Sequence, residues 1–207
     1  MGRSNAVRWD SIERWSPRLF LLAGMFLVIA AVMSGMAFLG HGQLFDDWLV
    51  LPLELGRLAA LIGTLGLSVQ LGSHDTSLGK LGRGIAMLAI GLTVALTASA
   101  LLTTTGLLSV SSPALGIAAF VLSVSTFLLY GLGILRTRSH PTLVGRLLIV
   151  NVAALLVVFF GRILLPLGLL ATAVPGAQAL VYVTISHSLR CQNLPTQQST
   201  TTPDTTP

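Results

Sequence analysis

Glu54 and Arg57 are the residues of this chain best placed to do chemistry, because both fall inside a long apolar stretch. An ionisable side chain held at membrane depth is costly, so it marks a candidate site by default. Counted along a helix from Trp48, the pair sits about 9 and about 14 Å below the outer interface. A spacing of three brings a carboxylate and a guanidinium onto one helical face, where each can neutralise the other. Two readings stay open. In one, an outward-facing polar pocket binds an ion or small anion, with Glu54 as proton acceptor. In the other the couple is structural and, joined by Arg162, locks its helix into a bundle.

Two amides extend the set. Asn151 falls near the middle of one apolar run, and Gln178 follows Pro175-Gly176 in the last one. The Pro-Gly pair is expected to kink or break its helix and free backbone carbonyls. Broken helices at the midplane recur in transporter sites. Ordinary membrane helices also carry kinks whose freed groups are satisfied by neighbours. Glu54, Arg57, Asn151, Gln178 and Arg162 together form the candidate intramembrane polar site.

Nothing assigns a catalytic residue. The chain has no HExxH, no GxSxG elbow and no GxxxxGK phosphate loop. Gly66-Leu67-Ser68 is the nearest approach to a nucleophile in a glycine setting, and no mid-membrane histidine is expected beside it. His41 belongs to the outer side and His74, His140 and His187 to the inner side, all expected to be solvent-exposed or interfacial. Cys191 is the only cysteine, which excludes an internal disulfide and any multi-cysteine metal site. No cofactor or metal is expected. The hydroxyls of Thr103, Thr104, Thr105, Ser123, Ser125 and Thr126 can bond back to their own helix carbonyls, so they need no functional explanation.

The elements that must position these residues follow from composition. Of 207 residues, 53% are hydrophobic and only 9% are charged. A soluble domain carries about 25% charged residues. Water therefore cannot solvate most of this surface, and acyl chains are the alternative. The expected fold is all-α, a polytopic transmembrane helix bundle of six spans with both termini inside.

Residues 1–18 read as a cytoplasmic interfacial lead-in, with Trp9, Ile12 and Trp15 along one flank and Pro17 opening span one. Residues 19–186 form the six-helix domain, with spans at about 19–40, 49–71, 84–108, 113–135, 142–160 and 163–186. Between spans five and six a turn is needed near Gly161-Arg162, since one helix over 142–186 would reach about 67 Å. Residues 187–207 are a Thr/Pro-rich tail with the composition of disorder.

Orientation comes from the basic residues. Ten of the twelve lie in the N-terminal segment, the even-numbered connections, the inner end of span five and the C-terminal segment. Of the other two, Arg162 lies in an odd-numbered connection and Arg57 within a span. Basic residues favour the cytoplasmic side. Their placement beside the spans also accounts for the net charge of +5, so nucleic acid is not an expected partner. Eleven of the twelve are arginine, a skew that fits a GC-rich prokaryotic genome.

Helices approach closely in lipid through small residues four apart. Gly91, Ala95, Ser99 and Thr103 form one such stripe, and Gly168, Thr172 and Gly176 form another. Each is expected to mark a helix–helix contact, within the chain or between copies.

The segment YGLGILRTRSHPTLVGR, from Tyr130 to Arg146, and the segment LELGRLAALIGTLGL in span two resemble prokaryotic multi-span membrane proteins of unknown function. In those families a small-residue-rich helix ends in a Leu-Arg pair followed by a short, Pro-containing inner loop. The resemblance implies the same topology and supplies no substrate or catalytic residue. The expected function is a non-enzymatic one in the prokaryotic cytoplasmic membrane. It would be exercised through the bilayer together with a membrane partner protein or a second copy as a homo-oligomer. The alternative is a small-solute or ion transporter or channel lined by the polar residues of spans two, five and six.

Overall fold

The computed structural model describes residues 3–41, 46–71, 77–105, 113–138, 140–164 and 167–193. Side chains are described within 14–40, 48–68, 80–103, 105, 113–138, 140–157, 159–160 and 172–191. Six helices make up this part of the chain: α1 Arg3–Met36, α2 Asp46–Leu71, α3 Ser77–Thr104, α4 Pro113–Thr137, α5 Thr142–Leu164 and α6 Leu167–Asn193. Among the described residues, four stretches are long and apolar enough to cross a membrane, namely Arg14–Gly40, Trp48–Ser68, Lys80–Thr103 and Pro113–Thr137. At about 1.5 Å per residue, each is long enough for a hydrocarbon core of about 30 Å. Thr142–Val157 on α5 is a shorter apolar stretch.

The helices follow one another around a ring. Each packs against its neighbours in sequence, α1 closes the ring against α6, and α2 also reaches α4. The pairing is antiparallel. Along α1 and α6, Pro17 meets Ser186, Gly24 meets Ala179 and Val183, Ala31 meets Gly176, and Gly35 meets Thr172. Along α1 and α2, Ser16 meets Gly63 while Leu27 meets Gly56. Small residues set these approaches, because lipid offers helices little hydrophobic reason to associate. The tightest approach to backbone lies between α4 and α5, where a Cβ on Gly145 would come within 2.9 Å of the Gly131 carbonyl oxygen.

Leu, Val, Ile and Met side chains face outward from the ring, including Met25, Val32, Leu88, Val121 and Leu180. Polar side chains turn inward, among them Ser16, Thr64, Thr93, Ser123, Asn151 and Gln178. They sit within a core that is otherwise apolar, and the apolar outer surface fits solvation by lipid.

Several boundaries differ from the sequence reading. The first helix begins at Arg3 and runs through Pro17, so the lead-in and the first apolar run are one helix. No helix breaker precedes Pro17, which itself removes only one backbone bond. Similarly, α6 passes Pro175 without interruption, held there by contacts of Thr172 and Gly176 with α1. Helix α5 continues through Gly161 and Arg162 to Leu164. The next described helix begins at Leu167.

Helix α1 leaves through a widened turn, Ala37–His41, in which Gly40 has φ 98° and ψ 3°. Nothing stands within 4 Å of a Cβ built there, so the glycine answers to backbone conformation and not to space. Arg138, just after α4, adopts φ 51° while its N–H bonds the Ile134 carbonyl at 2.9 Å. It closes the helix as glycine would, at some steric cost.

Candidate intramembrane polar site

Glu54 and Arg57 pair as their spacing predicts. The Arg57 Nη1 donates to both carboxylate oxygens, at 3.1 and 3.2 Å. Both side chains keep a little exposure, 14% for Glu54 and 22% for Arg57. Held on successive turns of α2, they form a half-screened ion pair.

Asn151 and Gln178 are brought together by the packing of α5 on α6. The Gln178 Nε2 donates to the Asn151 Oδ1 at 3.1 Å, and the Asn151 Nδ2 donates to the Tyr182 hydroxyl at 2.9 Å. All three side chains are buried. Gln178 and Tyr182 are one helical turn apart, so they bracket the single amide reaching across from α5.

Tyr182 is the residue that sequence reasoning missed, and it joins the two halves of the site. Its ring centroid lies 5.9 Å from that of Phe20 on α1 and 6.3 Å from that of Phe127 on α4. The charge of Arg57 on α2 is near enough to act on its phenol. Elements α1, α2, α4 and α5 thus converge on one side chain of α6. Tyrosine commonly reads as an interfacial residue, its ring apolar and its hydroxyl wet. Only the register of α6 against α5 shows that here the hydroxyl is dry and bonded.

The fifth predicted member, Arg162, belongs to α5, and its side chain lies outside the described residues. The same holds for the side chains of Trp9, Ile12, His41, His74 and Thr104, for the surroundings of Gly168 and for the tail over 194–207.

The hydroxyls behave as expected. Thr103, Thr105, Ser123, Ser125 and Thr126 each bond a carbonyl four residues back, at 2.7–2.9 Å. Two others tie helices together. Ser16 on α1 donates to the Gly63 carbonyl at 2.8 Å, and Ser186 on α6 donates to the Pro17 carbonyl at 2.6 Å.

His140 corrects its sequence reading. It was expected to be solvent-exposed or interfacial, yet it is 93% buried, its exposure only 7%. The turn from α4 to α5 folds it under the bundle, against the backbone of Leu67. Burial pushes its imidazole below the ordinary histidine range, and the hydrogen bond to Leu67 partly offsets this. His140 is thus one residue away from Ser68, although its Nε2 and the Ser68 Oγ do not bond each other. His187 is exposed, 3.7 Å from the Cys191 Sγ. Among the described residues no three His, Cys, Asp or Glu side chains gather as a metal site would require.

Of the two small-residue stripes, Thr172 and Gly176 pack against α1, within the chain. The α3 stripe does not. Gly91, Ala95 and Thr103 face outward and Ser99 is half-exposed, while Gly82, Ala86, Ala89, Thr93 and Thr97 form the buried face. Comparison with protein-family models, curated proteins and solved structures finds no match to this chain. The roles of its residues therefore rest on their geometry.

Proposed function

We propose that this chain is a multi-pass protein of the prokaryotic cytoplasmic membrane, crossing it six times with both termini inside. The contact of Pro17 with Ser186 supports termini on one side, because it sets the basic ends of α1 and α6 at the same level. The arginine distribution supports the inner side. In this reading α5 and α6 cross as well, with Asn151, Gln178 and Tyr182 satisfying one another at depth.

The protein is proposed to act without catalysis, through association with a second copy or a membrane partner. The observation that carries this reading is the outward small-residue face of α3, where nothing lies within 4 Å of a Cβ at Gly91. Such a face permits close backbone approach by another helix. Ala95→Cys in a Cys191→Ser background, oxidised in native membranes, is expected to give a disulfide-linked dimer or a discrete adduct. Leu180→Cys, also exposed but on α6, should give neither. Equal yields from both positions, or none from either, would contradict the reading.

One observation favours transport instead. The Glu54–Arg57 pair is partly exposed, and within the bundle Tyr182 bonds Asn151, which bonds Gln178 in turn. A path along this line requires the Asn151–Tyr182 bond to open. Liposomes carrying the wild type would then pass protons or small ions, and Asn151→Leu would abolish the flux.

A further inference from the structure

Trp15, Arg18, Leu22, Met25, Ile29 and Val32 follow one another along α1 at spacings of three and four, and all are exposed. They therefore form one stripe down the helix, apolar except at Arg18. The Arg18 guanidinium lies over the Trp15 ring, 4.9 Å from its centroid. An indole favours the headgroup layer, and the stacking holds the cation at that depth. A stacked guanidinium still presents N–H donors at its rim.

Two more arginines stand at this level. Arg14 is exposed one turn before Arg18. The Ser186 hydroxyl bonds the Pro17 carbonyl at 2.6 Å, which fixes the height of α6 against α1. The two helices run antiparallel, so Arg190, exposed one turn beyond Ser186, is level with the α1 turn that carries Arg14. Little offsets this charge. The chain has no Asp or Glu between Glu13 and Asp46, or between Asp75 and Asp204. Among the described residues none of the three arginines is in an ion pair.

The combination selects its occupant. A soluble anion would engage the guanidinium groups and leave the apolar stripe beside them unused. An acidic phospholipid engages both, with its phosphate among the arginines and its chains along the helix.

We infer that Arg14, Trp15, Arg18 and Arg190 bind one acidic phospholipid of the inner leaflet, an acyl chain lying along Leu22, Met25 and Ile29. The leaflet rests on the proposed topology with both termini inside; the lipid preference does not.

Trp15 itself reports the site. The full chain carries Trp9→Phe and Trp48→Phe, which leaves Trp15 as its one indole. It is reconstituted in phosphatidylcholine vesicles containing phosphatidylglycerol or phosphatidylcholine brominated on the acyl chains, which quenches a tryptophan in contact. Brominated phosphatidylglycerol should quench Trp15 with about tenfold the affinity of brominated phosphatidylcholine or more, and Arg14→Gln or Arg18→Gln should each lower that preference about fivefold. Arg136→Gln, exposed at the end of α4, should leave it unchanged. These side chains are exposed, so the variants should melt with their parent.

Equal quenching by the two lipids, an equal loss in Arg136→Gln, or displacement of the brominated lipid by inorganic phosphate would overturn the assignment. Both leaflets of the vesicle carry the same lipid, so failure here leaves the topology standing. An inverted topology, read by labelling in cells, would move the site to the other leaflet without abolishing the preference.

Discussion

Asn151 on α5 and Tyr182 on α6 are joined by a hydrogen bond of 2.9 Å, with both side chains shut away from the surface. The amide oxygen of the same asparagine accepts from Gln178 at 3.1 Å. One side chain on α5 therefore fixes two positions on α6, and with them the rotation and height of one helix against the other.

Tyr182→Phe should cost about 0.6–1.7 kcal/mol, the range for hydrogen bonds between helices in a membrane. Asn151→Ala should cost more, because it also strands the Gln178 amide. Thermal unfolding in detergent measures both, and the double variant should cost less than the sum of the two. Strict additivity would show that the bond contributes nothing.

Glu54 and Arg57 should behave as a unit. Glu54→Gln or Arg57→Gln alone leaves a poorly solvated charge and is expected to cost about 1–3 kcal/mol. Replacing both by glutamine should restore most of that loss. The comparison is again made by unfolding, and a double variant worse than either single one would show that the residues act separately.

Gly131 and Gly145 leave no room for a methyl group. A Cβ on Gly131 would meet the Gly145 carbonyl oxygen at 3.0 Å, and the reverse contact would be 2.9 Å. Backbone cannot move aside as a flexible side chain can, so alanine at either position should cost about 1–3 kcal/mol. Gly91→Ala, in open space on α3, should be neutral to stabilising by up to about 1 kcal/mol. Reversed signs in the melting temperatures would contradict the packing of α4 on α5.

His140 gives the bundle a pH dependence of definite sign. Burial lowers its affinity for a proton in the folded protein, so the unfolded chain binds that proton more readily. Its contribution is complete above the ordinary histidine value and declines as pH falls through the lowered one. Melting temperature should therefore drop between about pH 7.5 and about pH 5.5. His140→Gln should flatten that slope, and an unchanged slope would remove His140 as its source.

Much of this architecture is legible in sequence because lipid imposes length and polarity on every crossing. Pro113 marks the start of α4, and the apolar stretch from Trp48 encloses Glu54 and Arg57 at the spacing their ion pair requires. Asn151 and Gln178 stand out by type and depth alone. What sequence does not carry is which faces meet. The stripe of Gly91, Ala95, Ser99 and Thr103 has the spacing of a contact, yet the chain buries the face led by Ala86, Ala89 and Thr93. Tyr182 and His140 were hidden for the same reason. Each is a residue type usually found near water, and only tertiary packing places it out of reach.

A chain that threads the bilayer with its arginine-rich ends inside is tested most directly by its sidedness. Gln43→Cys and Ser77→Cys, each made separately in a Cys191→Ser background, would be exposed in intact cells to a thiol reagent that cannot cross membranes. Position 43 should react from outside, and position 77 should react only after the membrane is opened. Reaction at 77 in intact cells with 43 protected would invert the topology, and equal reaction at both would remove the membrane from between them.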